Sequence, residues 1–347
     1  MESFGSWSVL TTNFLIILYI AVNGVTLAAI LHLVNGKWRE HVRFLSVSLF
    51  ALFPLAFVLL IILLVGGEHT FQWLAHAHDG GGEGHHMPGW HNYTFLVTRQ
   101  IVAFLVVAGL YGLFIKYQAD AVKDDSYAVQ RRFRNVALLI PFVYVSYATM
   151  VAWDFEMTMI PSWHSASYGA YHFISLFQFF LAFFAIFLFV LKRSGKLRVN
   201  VPDRIINYIA QVMLGFTILW TYLYFTQYLI MWYGRLPEEI VRFRNMMDND
   251  LSGIWWTFLA MKFVIPFCSL IFARVRNTPA LVVAVATSVV IGTWLERYTW
   301  ISGSVSPEHY HTPMTSGFDI LVTILVAGAA FMTIRWSLNR FGLVKPS

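Results

Sequence analysis

The chain has 347 residues, of which 58% are hydrophobic and only 12% are charged, and its formal net charge is +6. This composition excludes an ordinary soluble domain and a nucleic-acid-binding role for the basic excess, and it predicts a multi-pass membrane protein. The single cysteine, Cys268, excludes a disulfide framework and a cysteine-ligated iron–sulfur cluster held by this chain alone.

Nine apolar stretches are long enough to cross a bilayer as α-helices, which requires about 20 residues each. They cover residues 10–34, 42–66, 94–118, 133–153, 168–191, 206–233, 251–273, 278–300 and 317–337. The fold class is therefore predicted to be an all-α integral membrane protein. The sequence contains no Walker or Rossmann nucleotide-binding motif between these stretches.

Lysine and arginine residues predict how the helices are oriented. Most of the 24 lie in alternate loops and in the C-terminal tail. Four lie in loops or helix ends on the opposite side, namely Arg235, Arg242, Arg244 and Arg297. Because cytoplasmic loops carry the positive excess, we predict an N-terminus outside and a cytoplasmic C-terminus. This alternation fits nine crossings and would fail for eight or ten.

The loop between the second and third helices, residues 67–93, is rich in glycine and contains six histidines. Neutral imidazole binds transition metals, so weak candidates for a metal site are His76, His78, His85 and His86. The alternative is a solvated loop with adventitious metal affinity. We favour that alternative because the histidine spacing matches no closed set of metal ligands.

Ionisable residues lie inside or at the ends of helices on the predicted outer side. They are Arg99, Asp154, Glu156, His164, His172, Glu296 and Asp319. Such groups are costly in lipid and usually face a cavity, a bundle interior or a partner. We predict an outward-facing polar pocket that exchanges protons or binds a quinone head group. The alternative is an interfacial belt of tyrosine and tryptophan, with Arg99 paired structurally to a carboxylate.

Helical spacing predicts two polar faces near this pocket. On the fourth helix, Tyr144, Tyr147 and Asp154 share approximately one face. On the fifth helix, a polar stripe contains Tyr168, Tyr171, His172, Ser175 and Gln178. Placed opposite each other, the two faces would supply hydrogen-bond partners for both oxygens of a quinone.

Lys262 lies near the middle of the seventh helix, where an ammonium group must be paired, neutralised or hydrated. One interpretation is a relay in a proton path, with His32 and His41 nearer the inner side. The other is a structural partner for a carboxylate on a neighbouring helix. The sequence leaves both open.

Two segments resemble one family of membrane subunits. Residues 220–239, W-T-Y-L-Y-F-T-Q-Y-L-I-M-W-Y-G-R-L-P-E-E, resemble the signature F-S-Q-Y-x-x-I-W-Y-x-x-x-P-E-E. This signature belongs to the ActF-like membrane subunit of bacterial alternative complex III, in the NrfD/PsrC-like superfamily. Residues 153–165 resemble the family segment F-D-W-x-M-S-L-D-P-x-W-x-S, with Asp154 at its first acidic position. Ile160 replaces the second acid, and Glu156 is a substitute about one helical turn away.

The resemblance implies two four-helix bundles, here residues 1–153 and 154–302, with a flanking helix and tail in residues 303–347. It implies an anchoring, proton-conducting subunit of a quinol:electron-acceptor oxidoreductase of the cytochrome c type in a bacterial inner membrane. The expected partners are lipids, a paralogous NrfD-like subunit, an iron–sulfur protein and a multihaem cytochrome c. Haem and iron–sulfur clusters would belong to those partners, and this chain would hold no redox centre.

Within that expectation, Gln227 and Tyr228 are predicted hydrogen-bonding residues of the second bundle, and Lys262 is a predicted proton relay. Two other functions remain open at this stage. The chain itself could oxidise quinol at a site near His172. It could instead be a stand-alone secondary transporter, for which helices broken at mid-membrane are typical, with Pro54, Pro141 and Pro266 as the candidate breaks.

Overall fold

The computed structural model of the protein describes residues 3–74, 89–234, 237–248, 251–302 and 311–345. Within these ranges nine helices are long and apolar enough to cross a membrane, which confirms the predicted helices. They are α1 (Ser3–Leu33), α2 (Arg39–Val65), α3 (Tyr93–Lys123), α4 (Tyr127–Phe155), α5 (Tyr168–Arg193), α6 (Asp203–Gly234), α7 (Ser252–Leu270), α8 (Pro279–Ile301) and α9 (Gly317–Arg340). The same ranges contain no β-strand, only an isolated antiparallel bridge between Leu197 and Val344.

Helices α3 and α4 extend beyond their predicted ends on the basic side of the molecule. The intervening residues 119–132 are rich in charged side chains, with six among fourteen, but they include neither glycine nor proline. The apolar stretches therefore end at the bilayer boundary, whereas the helices continue through good helix-forming residues. The Asp124 side chain accepts a bond from the Ser126 amide at 2.8 Å, and this turn joins the two helices.

Helix α1 occupies the centre of the molecule. Within its most apolar stretch 89% of the residues are buried, whereas the corresponding value for α9 is 11%. Helix α1 packs against α2, α4, α5, α8 and α9. Polar bonds reinforce this packing, because Asn13 accepts a bond from Trp294 of α8 at 2.9 Å and donates one to Thr323 of α9 at 3.0 Å. Helix α1 thus connects the first half of the chain with the second.

The three prolines considered as breaks leave their helices continuous. Pro141 lies inside α4. Pro266 lies in α7 just after the π-helical turn Ala260–Val264. Pro54 follows the 3₁₀ turn Leu49–Leu52 at the start of the straight part of α2. The unwound helices expected for a transporter are therefore absent at these positions.

Candidate functional site

The end of α4 turns the side chain of Glu156 into the protein. Glu156 leaves the helical conformation, with φ −132° and ψ −56°. The carbonyl groups at this helix end are bonded by side chains: Thr158 donates to the Trp153 carbonyl at 2.7 Å, and Arg242 donates to the Glu156 carbonyl at 2.6 Å. These bonds replace the backbone partners that a helix end lacks. They hold Glu156 in a fully buried position.

Arg242 connects the ends of two helices. Its guanidinium also donates to the carbonyl of Trp300 in the last turn of α8 at 3.1 Å, and it lies 4.3 Å from the ring centre of Trp163. A cation at helix C-termini interacts favourably with the helix dipoles, and its aromatic contact adds a cation–π interaction. Burial lowers the pKa of Arg242 to about 10, so this residue is charged at neutral pH.

The Glu156 carboxylate is the first centre of a buried polar network. It accepts a hydrogen bond from Tyr168 at 2.6 Å and two from Arg297 at 2.6 and 2.9 Å. The Nδ1 atom of His172 lies 2.8 Å from the carboxylate, and the Nε2 atom lies 2.9 Å from the hydroxyl of Tyr19. All five side chains are buried. An imidazole between a carboxylate and a phenol is placed to carry a proton between them.

The Glu296 carboxylate is the second centre, where α5, α6, α7 and α8 meet. It accepts hydrogen bonds from five buried side chains: Tyr171, Ser175, Trp220, Lys262 and Arg297. The Lys262 Nζ and Arg297 Nη2 atoms lie 2.5 and 2.8 Å from its oxygens. An ionised carboxylate is an acceptor only, so this donor set fits the charged form of Glu296.

Arg297 joins the two centres, because one of its terminal nitrogens contacts Glu156 and the other contacts Glu296. We refer to the following five residues as the buried charge cluster: Glu156, His172, Lys262, Glu296 and Arg297. With a neutral imidazole, two carboxylates balance two cations. Such a cluster is stable inside a protein only while its pairs remain complete, so a proton gained or lost leaves one uncompensated charge.

A glycine allows Lys262 to reach Glu296. Gly292 lies one helical turn before Glu296 in α8, and a Cβ atom there would lie 2.9 Å from both Lys262 Cγ and Met261 Cβ. The missing side chain lets α7 approach α8 closely. Lys262 itself lies in the π-helical turn of α7, and such turns often mark functional sites.

Rows of buried polar side chains extend from the cluster toward the basic ends of the helices. On α1, Tyr19, Asn23 and Thr26 have the spacing i, i+4 and i+7 and share one helix face. This face covers about 10 Å along the axis, and the Thr26 hydroxyl lies 3.0 Å from that of Tyr111 on α3. On the other side of the cluster, Gln178 donates to the Lys262 carbonyl at 3.2 Å. The cluster is therefore connected to polar groups deeper in the bundle.

Asp154 lies apart from the cluster. Its carboxylate faces α3, where it accepts bonds from Arg99 at 2.5 and 2.9 Å, from Gln100 at 2.6 Å and from Trp90 at 2.8 Å. The Arg99 guanidinium also lies 4.0 Å from the ring centre of Trp90. The structure thus shows the pairing of Arg99 with a carboxylate that was one of two alternatives. The predicted association of Asp154 with Glu156 and His172 is not observed.

Two other predicted site residues also lie outside the cluster. His164 is exposed, and its Nδ1 atom lies 3.2 Å from the carbonyl of Ser162. Asp319, at the start of α9, contacts the Nε2 atom of His311 at 2.5 Å. The His164 contact is local to its loop, whereas the Asp319 contact joins α9 to the segment before it, whose His311 carbonyl accepts a bond from Tyr298 of α8.

Gln227 and Tyr228 lie on α6, in the segment that carries the family resemblance. Gln227 is 1% exposed, and its side-chain amide has no hydrogen-bond partner in the part of the chain that the structure describes. Tyr228 is half-buried and packs against Phe243. Both residues belong to the second half of the chain, but neither contacts the buried charge cluster.

The four candidate metal-binding histidines, His76, His78, His85 and His86, lie outside the described residues. Of the six histidines in this loop the structure describes His69 and His91, and the Nε2 atom of His91 lies 3.3 Å from the carbonyl of Thr158. Burial lowers the pKa of His91. Among the described residues, no group of three or more histidine, cysteine or carboxylate side chains is placed to bind a metal ion.

A groove of about 480 Å³ runs between α3 and α4. Its walls are formed mainly by apolar side chains of the two helices: Val102, Ala103, Val106, Phe142, Val143 and Met150. Three polar residues also line it. They are Arg99, Ser146 and Tyr147, and the buried hydroxyl of Tyr147 lacks a hydrogen-bond partner among the described residues.

Sequence reasoning missed the role of Arg297. The charge count assigned it to the outer end of a helix, whereas the structure places it between two buried carboxylates. The sequence does contain Glu296 and Arg297 next to each other inside an apolar stretch. Two opposite charges in such a stretch require partners on neighbouring helices, so this pair could have predicted a buried charged site. Tyr19 offered no comparable signal.

Comparison of the sequence with protein-family models and with curated proteins finds no match. The resemblance of residues 153–165 and 220–239 to the ActF-like family therefore stays a prediction. The functional interpretation rests mainly on the geometry of the buried charge cluster.

Proposed function

We propose that this chain is an anchoring and proton-conducting membrane subunit of a quinol:electron-acceptor oxidoreductase of the alternative complex III type. The observation that supports it best is the buried charge cluster. Five titratable or charged side chains, held by α5, α7, α8 and the end of α4, contact one another where an anchor alone would need none. Such networks inside membrane domains are typical of proton relays.

Proton movement through the cluster would use His172 as the mobile element. A proton received at Nε2 from the Tyr19 side is matched by release from Nδ1 toward Glu156, so the imidazole returns to its neutral form. Glu156 is neutral while it holds the proton, and during this time Arg297 keeps its ion pair with Glu296. Because each added proton disturbs the charge balance, conduction requires compensation at Lys262 or at the cluster's outer side.

The proposal includes a location and partners. Helices α1–α4 and α5–α8 would form two bundles with α9 beside them, in a bacterial inner membrane with the N-terminus outside. The excess of lysine and arginine in alternate loops supports this orientation. A paralogous membrane subunit would oxidise quinol, and an iron–sulfur protein and a multihaem cytochrome c would carry the electrons. This division rests on the family resemblance.

Purification from native membranes in mild detergent tests the assembly. We expect the chain to co-purify with haem-containing and iron–sulfur proteins, seen as Soret absorption and as cluster signals in electron paramagnetic resonance. A chain that is obtained alone and colourless from fully solubilised membranes would contradict the proposal and favour a stand-alone transporter.

A second candidate function is quinone binding by this chain, which the groove between α3 and α4 favours. An apolar groove with Arg99 and a buried tyrosine hydroxyl offers space for an isoprenoid tail and hydrogen-bond donors for a head group. In the purified complex, Tyr147→Phe should then raise the KM for a short-chain quinol about tenfold, the value of one lost hydrogen bond. The exposed Tyr222→Phe is the control. An unchanged KM in the Tyr147 variant rejects this candidate.

A further inference from the structure

A second groove lies at the opposite, basic ends of α5 and α9 and has a volume of about 490 Å³. Its walls are apolar side chains of both helices: Phe183, Ile186, Phe187, Val190, Phe331, Ile334 and Leu338. Phe331 and Val190 are 64% and 58% exposed, so the groove is open to the surroundings of the helices. An apolar channel of this kind, parallel to membrane-spanning helices, fits an acyl chain.

The rim of the groove is cationic. Lys196, Arg335 and Lys345 line it together with the polar side chains of Ser194 and Asn339, and no carboxylate of the residues from 3 to 345 that the structure describes does. None of the three cations forms an ion pair in the part of the chain that the structure describes. Three unpaired positive charges beside an apolar channel complement a phosphate group that is attached to acyl chains.

Backbone pairing fixes two of the cations at the rim. The amide of Lys345 donates to the carbonyl of Lys196 at 2.7 Å, and an antiparallel bridge joins Leu197 and Val344. The turn before the bridge on the α5 side requires Gly195, whose φ is +67°. The C-terminal tail is therefore attached to the loop after α5. This attachment fixes the backbone of Lys196 and Lys345 at the rim of the groove.

We propose that this groove binds an anionic phospholipid, with its phosphate against Lys196, Arg335 and Lys345 and its acyl chains along α5 and α9. A soluble anion would leave the apolar walls unused, and the cationic head group of a zwitterionic lipid would offset the attraction of its phosphate to the three basic residues. The proposal requires only that α5 and α9 span a membrane. It is therefore independent of the proposed oxidoreductase function.

Native mass spectrometry of the purified protein, with any co-purified subunits, tests this site. The probes are phosphatidylglycerol and phosphatidylcholine with identical acyl chains. Each basic residue near a lipid head group of net negative charge strengthens binding by about fivefold, so three should together favour phosphatidylglycerol by about 100-fold. The triple variant Lys196→Gln, Arg335→Gln, Lys345→Gln should lose this preference.

The matched control removes three charges from the same side but away from the groove, with Lys123→Gln, Arg131→Gln and Arg132→Gln, and it should keep the preference. A further variant, Ile334→Trp, fills the apolar channel and should weaken binding of both lipids. Equal losses in the two triple variants would show a general surface attraction and overturn the proposal. Competition by soluble glycerol phosphate at the lipid's own concentration would show a site for free anions and would overturn it too.

Discussion

Asp154 and Glu156 are two residues apart, yet they belong to different structures. Asp154 forms a closed pair with Arg99, completed by Gln100 and Trp90. Glu156 is connected through His172 to Tyr19 and through Arg297 to Glu296 and Lys262. Asp154 lies in the last helical turn of α4, whereas Glu156 follows the helix with a non-helical backbone, so the two side chains face different parts of the protein.

This comparison distinguishes two uses of a buried carboxylate. In the Asp154 pair, one cation and neutral donors satisfy one anion, and within the described residues Arg99 is the one titratable side chain that bonds to it. In the buried charge cluster, two anions share Arg297, and His172 continues the connection. We therefore assign proton movement to the cluster and a structural role to the Asp154 pair. The predictions below test that assignment.

The largest expected effect comes from Arg297→Gln. Loss of this cation leaves Glu156 and Glu296 without their shared partner, and breaking a buried pair costs about 3–5 kcal/mol. Thermal or denaturant unfolding of the purified protein measures the loss. Arg99→Gln breaks the simpler pair, which retains Gln100 and Trp90 as donors, and should cost about 1–3 kcal/mol. Equal losses in the two variants would contradict the proposed difference.

Lys262→Met and Glu296→Gln should each destabilise the protein by about 3 kcal/mol, because each leaves one unpaired charge. The double variant removes both charges and should be more stable than the sum of the single effects by at least about 1 kcal/mol. The same unfolding measurement gives this coupling. Additive losses would show that the two residues do not interact.

A smaller effect is expected from Gly292→Ala. The new methyl group would lie 2.9 Å from the Lys262 side chain, and such overpacking costs about 1–3 kcal/mol. The control is Gly215→Ala on α6, where nothing lies within 4 Å of a new Cβ atom. That substitution should stabilise the helix by up to about 1 kcal/mol. The same glycine-to-alanine change should therefore lower the free energy of unfolding at position 292 and raise it at position 215.

The smallest effect concerns pH near the Asp154 pair. Burial lowers the pKa of His91 below its unfolded value of about 6.5, so the unfolded chain binds a proton more readily. Stability should therefore fall as the pH drops below about 6.5. His91→Gln should reduce this loss, as measured by unfolding temperature against pH, whereas the exposed His164→Gln should retain it. An identical pH dependence in both variants would reject the contribution of His91.

The helices could be predicted from sequence, because long apolar stretches have no other stable arrangement in lipid. The ends of α3 and α4 could not be predicted. Hydropathy indicates where the bilayer ends, whereas the backbone hydrogen bonds of these helices continue beyond it. The polar stripe on α5 was predicted to face a pocket for a quinone head group, and the structure shows that its residues Tyr168, Tyr171 and His172 are fully buried.

Contacts between distant segments explain what sequence reasoning missed. Charge counting assigned Arg297 to a helix end on the outer side and did not identify its partners, because it considers one helix at a time. Proximity in sequence grouped Asp154, Glu156 and His164, but only Glu156 faces the second half of the chain. For Lys262 the sequence left two roles open, and the structure shows that it is paired with Glu296.

The central claim is that the buried charge cluster conducts protons and that the Asp154 pair does not. The purified protein, with any co-purified subunits, is reconstituted in liposomes, and proton flux under a potassium–valinomycin potential is followed with an internal pH dye. Glu156→Gln should lower this flux at least tenfold, the effect expected when one acid–base relay group is lost, whereas Asp154→Asn should leave it within about twofold of the unmodified protein. Normal flux in the Glu156 variant, or equal losses in both variants, would contradict the account.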